Sequence, residues 1–259
     1  MYHSILVGQD ASEQSRHALN LAVWVARATN AHLHLIHLHG RKLPGVSPQP
    51  VEEMERLLDD RAATCADVGV MCSQRIVTGW ATHALLAEAR WHDLVVIGKH
   101  GASHGGNRDR LGSLTGALLG GSPVPVLIVD DAPAQPTSLL VAFDGSPDAC
   151  KALRIAAGLA LERGIRLHVV ETVRSARRPD RLARAKEYLD DCPGLDTVLE
   201  RIVGRPADTV AAYIDRHAIE LTFLPALDRS LFGRRLTTHL ATQTASSLLV
   251  PEGQWPPVY

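Results

Sequence analysis

The chain has 259 residues, 46% hydrophobic and 21% charged, with a net charge of -1, the composition of a globular protein long enough for one large domain or two ordinary ones. Near-neutral charge offers no basic surface for nucleic acid, and 4% aromatics leave little for base-stacking platforms. No apolar run approaches bilayer length, the first strand already opens at Ser4, and the four cysteines (Cys65, Cys72, Cys150, Cys192) form no CxxC pair, so a reducing cytoplasm, with no leader segment and no membrane partner, is the expected setting.

The first apolar strand, Ser4 to Gly8, runs into Gln9-Asp10-Ala11-Ser12, where Asp or Ser suits the cap of the Ala/Leu-rich helix over Ala18 to Ala28. A second strand spans Ala31 to Leu38, a third ends at Arg75-Ile76-Val77-Thr78-Gly79, a fourth covers Asp93 to Ile97 and a fifth Val124 to Val129, with helical segments between them. From Ser138 the same series begins again. Ser138 to Ser146 repeats the strand-Asp-x-Ser opening, Ala152 to Ala160 the helix, and Ile165–Val170, Arg201–Gly204, Glu220–Leu224 and Ser246–Val250 the later strands. Asp144 follows Asp10 by 134 positions, His168 follows His37 by 131, Arg201 follows Arg75 by 126 and Val250 follows Val129 by 121. A shrinking offset points to duplication followed by loop loss. The polar, proline-containing stretch Asp131 to Thr137 is the linker, giving domains 1–132 and 137–259.

Continuous apolar strands alternating with helices predict parallel sheets covered on both faces. The fold class expected is α/β: two tandem doubly wound domains, each a five-stranded parallel sheet with ligand sites at the carboxyl ends of the strands.

The segment with most chemistry is Val95-Val96-Ile97-Gly98-Lys99-His100-Gly101, followed by Leu111-Gly112-Ser113-Leu114-Thr115. It reads as strand, glycine loop and helix start, where main-chain N–H groups cradle phosphates. It reads equally as a βα turn that needs positive φ at Gly98 or Gly101. No GxxxxGK[ST] and no GxGxxG after the first strand is present, which argues against a P-loop NTPase and a dinucleotide enzyme.

With strand-Asp-x-Ser at its start and Gly98-x-x-Gly101…Gly112-Ser113 near its end, the first half resembles the universal stress protein family. The second half resembles it in strand order and in Val141 to Ser146. The likeness covers the whole chain and implies two such domains in tandem, of adenine nucleotide alpha hydrolase-like fold, with a stress-response role. The family's nucleotide-binding signature is G-x2-G-x9-G-S/T. Here ten residues separate Gly101 from Gly112, with Gly105-Gly106-Asn107 available to absorb the extra one. The resemblance implies that Asp10 and Leu38 meet the adenine and ribose end, that Gly98 packs on the ribose, and that Gly101, Gly112, Ser113, Leu114 and Thr115 meet the phosphates. The implied ligand is ATP, ADP or AMP, with or without Mg2+. An unidentified protein partner is implied, and an intramolecular pseudo-dimer through Val126–Val129 and Leu248–Val250, or a homodimer of such chains. Binding is expected, with slow ATP hydrolysis or a purely structural module as alternatives.

In the second half the fourth strand runs into Pro225-Ala226-Leu227-Asp228, a carboxylate where phosphates would lie, and Thr237-Thr238 stand at the Gly-Ser position before a helix expected to be about one turn shorter. That copy reads as degenerate. Asp10 and Asp144 read equally as helix caps. Lys99, His100, His104, Arg108 and Arg110 read as positive charge for a triphosphate or as solvated loop residues. His32-x-His34 and His37-x-His39 put paired imidazoles on strand faces, read as strand-end residues before metal ligands, and Cys65 and Cys72 read as ordinary thiols before a redox pair.

Overall fold

A computed structural model describes residues 2–40, 50–102, 111–131, 133–175, 177, 179–225 and 231–251, with the side chains of 231–236 left out. Two compact units divide the chain, the first through Gln135 and the second from Pro136 to Pro251.

In the first unit β1 (Ser4–Gly8), α1 (Glu13–Thr29), β2 (His32–Gly40), α2 (Val51–Asp67), β3 (Cys72–Gly79), α3 (Ala81–Ala89), β4 (Leu94–Gly98), α4 (Ser113–Gly121) and β5 (Val126–Val129) follow in turn. The sheet order is β3-β2-β1-β4-β5 and every pairing is parallel. β4 and β5 are buried at every position, which is why they read as unbroken apolar runs, whereas the edge strand β3 alternates between half-buried and exposed residues. Ser12 caps α1 by accepting the Ser15 N–H at 3.1 Å, and Asn30 closes the helix in the left-handed region at φ 55°. Leu19, Leu21, Ala22 and Val25 form the buried stripe of that helix.

The second unit repeats this with β6 (Ser138–Ala142), α5 (Pro147–Arg163), β7 (Arg166–Val173), α6 (Leu182–Asp190), β8 (Thr197–Val203), α7 (Pro206–His217), β9 (Leu221–Phe223), α8 (Leu231–Gln243) and β10 (Ser247–Val250). Its order is β8-β7-β6-β9-β10, again all parallel. Ser146 caps α5 as Ser12 caps α1, with Pro147 at the first helical position and Gly164 at the left-handed end. The predicted α/β class, with five parallel strands flanked by helices in each unit, is the observed one.

Three sequence expectations change. Leu6 pairs with His34 and Leu140 with His168, so the counterpart of His168 is His34 and the offset is still 134 there. The position corresponding to His37 is the buried Glu171. The offset also does not fall steadily: Leu33 pairs with Cys72 and Leu167 with Thr197, an offset of 125, yet Ile5 pairs with Leu94 and Leu139 with Leu221, an offset of 127. Thr237 and Thr238 lie inside α8, which begins at Leu231 and has 13 residues against 9 in α4. They therefore do not open a helix, and the helix is longer, not shorter, than its counterpart.

Candidate functional site

In the first unit the strand order reverses between β1 and β4, because the chain leaves β1 toward β2 and leaves β4 toward β5. In an open parallel sheet a crevice forms at the carboxyl ends of two such strands. Asp10 stands just beyond β1 at this point. Its Oδ1 accepts from the Ser12 N–H at 2.9 Å and the Ser12 hydroxyl at 2.5 Å, while Oδ2 accepts the Ala102 N–H at 2.8 Å. The helix cap is Ser12, and Asp10 instead ties the turn after β1 to the turn after β4. Ser15 reinforces the turn by donating its hydroxyl to the Asp10 carbonyl at 2.5 Å, and Gln9 donates its amide to the Gly8 and Ser15 carbonyls at 2.9 and 3.0 Å.

The glycines are required by space rather than by φ, since neither Gly98 nor Gly101 has a positive φ. A Cβ on Gly101 would stand 2.9 Å from Asp10 Oδ2, and one on Gly98 would stand 2.9 Å from Gln14 Cβ in the first turn of α1. Gly112 is the cap residue of α4 and supplies no side-chain hydrogen bond to it; its own N–H goes to the Lys99 carbonyl at 3.0 Å. Helix geometry leaves the N–H groups of Ser113, Leu114 and Thr115 without intrahelical acceptors. Ser113 is exposed and Leu114 half-buried. The Thr115 hydroxyl is buried and donates to the Gly98 and Lys99 carbonyls at 3.1 and 3.2 Å, so it fastens α4 to the end of β4. Leu38, half-buried on β2 opposite Val77, lies near the same end of the sheet.

Lys99 is neither a phosphate arm nor a solvated residue. Its side chain is 6% exposed and its ammonium meets Asp130 Oδ2 at 2.7 Å, directed toward β5. His100 is buried as well. His104, Arg108, Arg110, the Gly105–Asn107 stretch and Asp228 lie outside the described residues.

One cation escaped the sequence reading. Arg61 on α2 falls in line with the buried Met54, Leu58 and Cys65, and its Nη1 is buried without a hydrogen-bond partner. Burial, then the charge of Arg16, hold its guanidinium below the ordinary arginine value, while Asp10 pulls the other way. The available signal was an arginine interrupting an apolar helical stripe.

The histidines of β2 sit elsewhere. The His32 and His34 rings stack at 4.4 Å and His92 lies 4.7 Å from His34, near the amino ends of the strands. Ser73 and Ser4 hydroxyls hold the Nδ1 atoms of His34 and His92 at 2.9 and 2.7 Å. Burial, His34 and Arg75 press His92 down to about 4 against the opposing pull of Asp93. His37 meets the Gln9 carbonyl through Nδ1 at 2.9 Å. Among the described residues no three His, Cys, Asp or Glu side chains are arranged to hold a metal ion.

The second unit fills the corresponding region differently. By sheet register Gly98 corresponds to Pro225, which has no N–H to offer. Gly145, at φ +76°, follows β6, and a Cβ there would stand 3.1 Å from Arg181 Cδ. Glu171, 1% exposed, pairs with Arg201 Nε at 3.2 Å and accepts the Arg181 N–H at 3.4 Å. A cleft of about 400 Å³ beside Gly145 is lined by Asp180, Arg181, Ala183, Arg184 and Glu187, carrying both signs of charge and no glycine cradle before a helix.

A model of the universal stress protein family matches residues 1–130 and again 137–250. The chain is similar to universal stress protein Slr1230 of Synechocystis, 26% identical over 137 residues, or 52% of this chain. It spans about half that relative's length, 47%. In fold it matches the crystal structure of a universal stress protein from Archaeoglobus fulgidus, with TM-score 0.78, 18% identity and 97% of each chain covered. It also matches a functionally unknown protein from Pseudomonas aeruginosa, with TM-score 0.71, 20% identity, and 96% and 92% covered.

Proposed function

The chain belongs to the universal stress protein family, once in each half, and on that premise we propose that its first unit binds an adenine nucleotide (ATP, ADP or AMP) while the second unit does not bind one in the same way. The observation that carries this reading is the wall of the crevice. Gly101, beside Asp10, and Gly112, at the start of α4 with no side-chain cap, stand where the sheet order reverses. Bare main chain ahead of an uncapped helix start suits a polyanion, because N–H groups and the helix dipole both favour negative charge. In this reading Gly101, Gly112 and the free N–H groups of Ser113, Leu114 and Thr115 receive the phosphates, Gly98 the ribose, and Asp10 and Leu38 the base end. Arg61 adds positive potential near Asp10.

The action proposed is binding that biases a conformation or a contact with a protein partner in a stress response. Any Mg2+ arrives on the nucleotide's phosphates, since both oxygens of Asp10 already accept hydrogen bonds. The four free thiols fit a reducing cytoplasm, and no described helix is long and apolar enough to cross a membrane. The same occupancy of Asp10 favours one second reading, a structural module without ligand. Equilibrium dialysis of the pure chain against labelled ATP decides between them: retention of the label supports binding, and none supports the module.

A further inference from the structure

We propose that a cleft at the amino ends of β6 and β7 in the second unit binds a small molecule through a phosphate group. Arg166 opens β7 opposite Ser138, and His168 stands two residues on, so both side chains leave one face of the sheet. Asp196 stands just ahead of β8, and His217 closes α7. These four residues, with Thr137 and Ser138, line a cleft of about 520 Å³. His168 is only 6% exposed, and its Nδ1 meets the hydroxyl of the buried Tyr213 at 2.9 Å, which leaves Nε2 as the nitrogen for the cleft. The Tyr213 ring also stacks on His217 at 4.2 Å, and the two imidazoles lie 5.4 Å apart. Burial pushes the Tyr213 hydroxyl up to about 12, so it keeps its proton, and its oxygen accepts from Nδ1 whenever His168 is charged. Asp196 is engaged with Arg166 Nε at 2.8 Å, and the two Nη groups bond to no described residue. The hydroxyls of Thr137 and Ser138 are spent on Glu220 and the Ala218 carbonyl. What stays free is the end of a guanidinium and two imidazoles, three donors for the three oxygens of a phosphate. A metal ion suits the cleft poorly, because Arg166 faces the same space and no third ligand joins the histidines. Burial, His217 and Arg166 hold His168 below its ordinary value, against the pull of Asp196 and Glu200; a bound anion shifts that balance toward the charged ring. The first unit lacks this set, since His32 stands at the register position of Arg166.

The test is a magnetic resonance titration of the full chain, carrying isotope-labelled histidine, with inorganic phosphate at constant ionic strength. His168→Gln and His217→Gln identify the two ring signals. Both signals should move and saturate together, and the titration midpoint of His168 should rise when phosphate is saturating. Arg166→Gln should weaken the binding roughly tenfold, and Arg166→Lys should recover part of that loss; circular dichroism confirms that each variant is folded. Glycerol phosphate is titrated alongside: tighter binding than inorganic phosphate identifies a phosphate ester as the ligand, and equal or weaker binding identifies free phosphate. Signals that follow ionic strength alone, an Arg166→Gln curve that matches the parent, or movement confined to the histidines of the first unit would each overturn the proposal.

Discussion

Replacing Gly101 by alanine probes the joint between the two turns that wall the crevice. The new methyl would stand 2.9 Å from Asp10 Oδ2, closer than real side chains come, so the carboxylate or the turn must move. Either movement weakens the 2.8 Å hydrogen bond from the Ala102 N–H. A charge-assisted bond of this kind is worth about 1.5–3 kcal/mol, and its partial exposure argues for the low end, about 1.5 kcal/mol. For a protein of this size that lowers the melting point by about 3–6 °C. Three of the four tryptophans, Trp24, Trp80 and Trp91, lie in the first unit, so indole fluorescence during urea unfolding follows that unit. Asp10→Ala removes the carboxylate that the new methyl would strike. The double variant should therefore be less destabilised than the sum of the single ones by about 1 kcal/mol. Costs that add to within about 0.5 kcal/mol would refute the steric account of Gly101.

Lys99→Met should cost about 3 kcal/mol in the same unfolding experiment, by stranding Asp130 beside a vanished ammonium, while nucleotide affinity stays within about threefold. His92 is held neutral in the fold at about 4, below the unfolded 6.5. The unfolded chain therefore takes up the proton first: stability is full above about pH 6.5, falls as pH drops toward 4 and levels off below. Discounted for partial exposure, the loss is about 2 kcal/mol, and His92→Asn should flatten it in urea titrations across that range. Gly145→Ala, forced to φ +76° against Arg181, should cost the second unit about 1–2 kcal/mol by calorimetry and leave nucleotide binding unchanged.

The strands were legible because parallel strands covered on both faces must be continuously apolar: Val95, Val96 and Ile97 could hardly be read otherwise. The helix starts were legible where a local side chain makes them, as Ser12 and Ser146 do. What depends on a distant partner was not. The burial of Lys99 needs Asp130, and the steric demand at Gly101 needs Asp10 from the turn after another strand. No local pattern carries either. His37 and His168 are each a landmark histidine of a second strand, yet only the hydrogen-bonded register shows that His168 answers to His34. Thr237-Thr238 suits a helix start by residue type, because threonine suits caps, but the helix is already under way at Leu231. The chemical identity of the loop glycines was visible, but their reason, room rather than left-handed backbone, was not.

The central claim is tested most directly by titrating the pure chain with ATP in a calorimeter and then repeating the titration with Gly112→Asp, which sets a carboxylate at the start of α4. The account predicts one site per chain in the parent protein and loss of that site in the variant, with the folded signal retained. No heat in the parent, two equivalent sites, or an unaltered isotherm for the variant would contradict it.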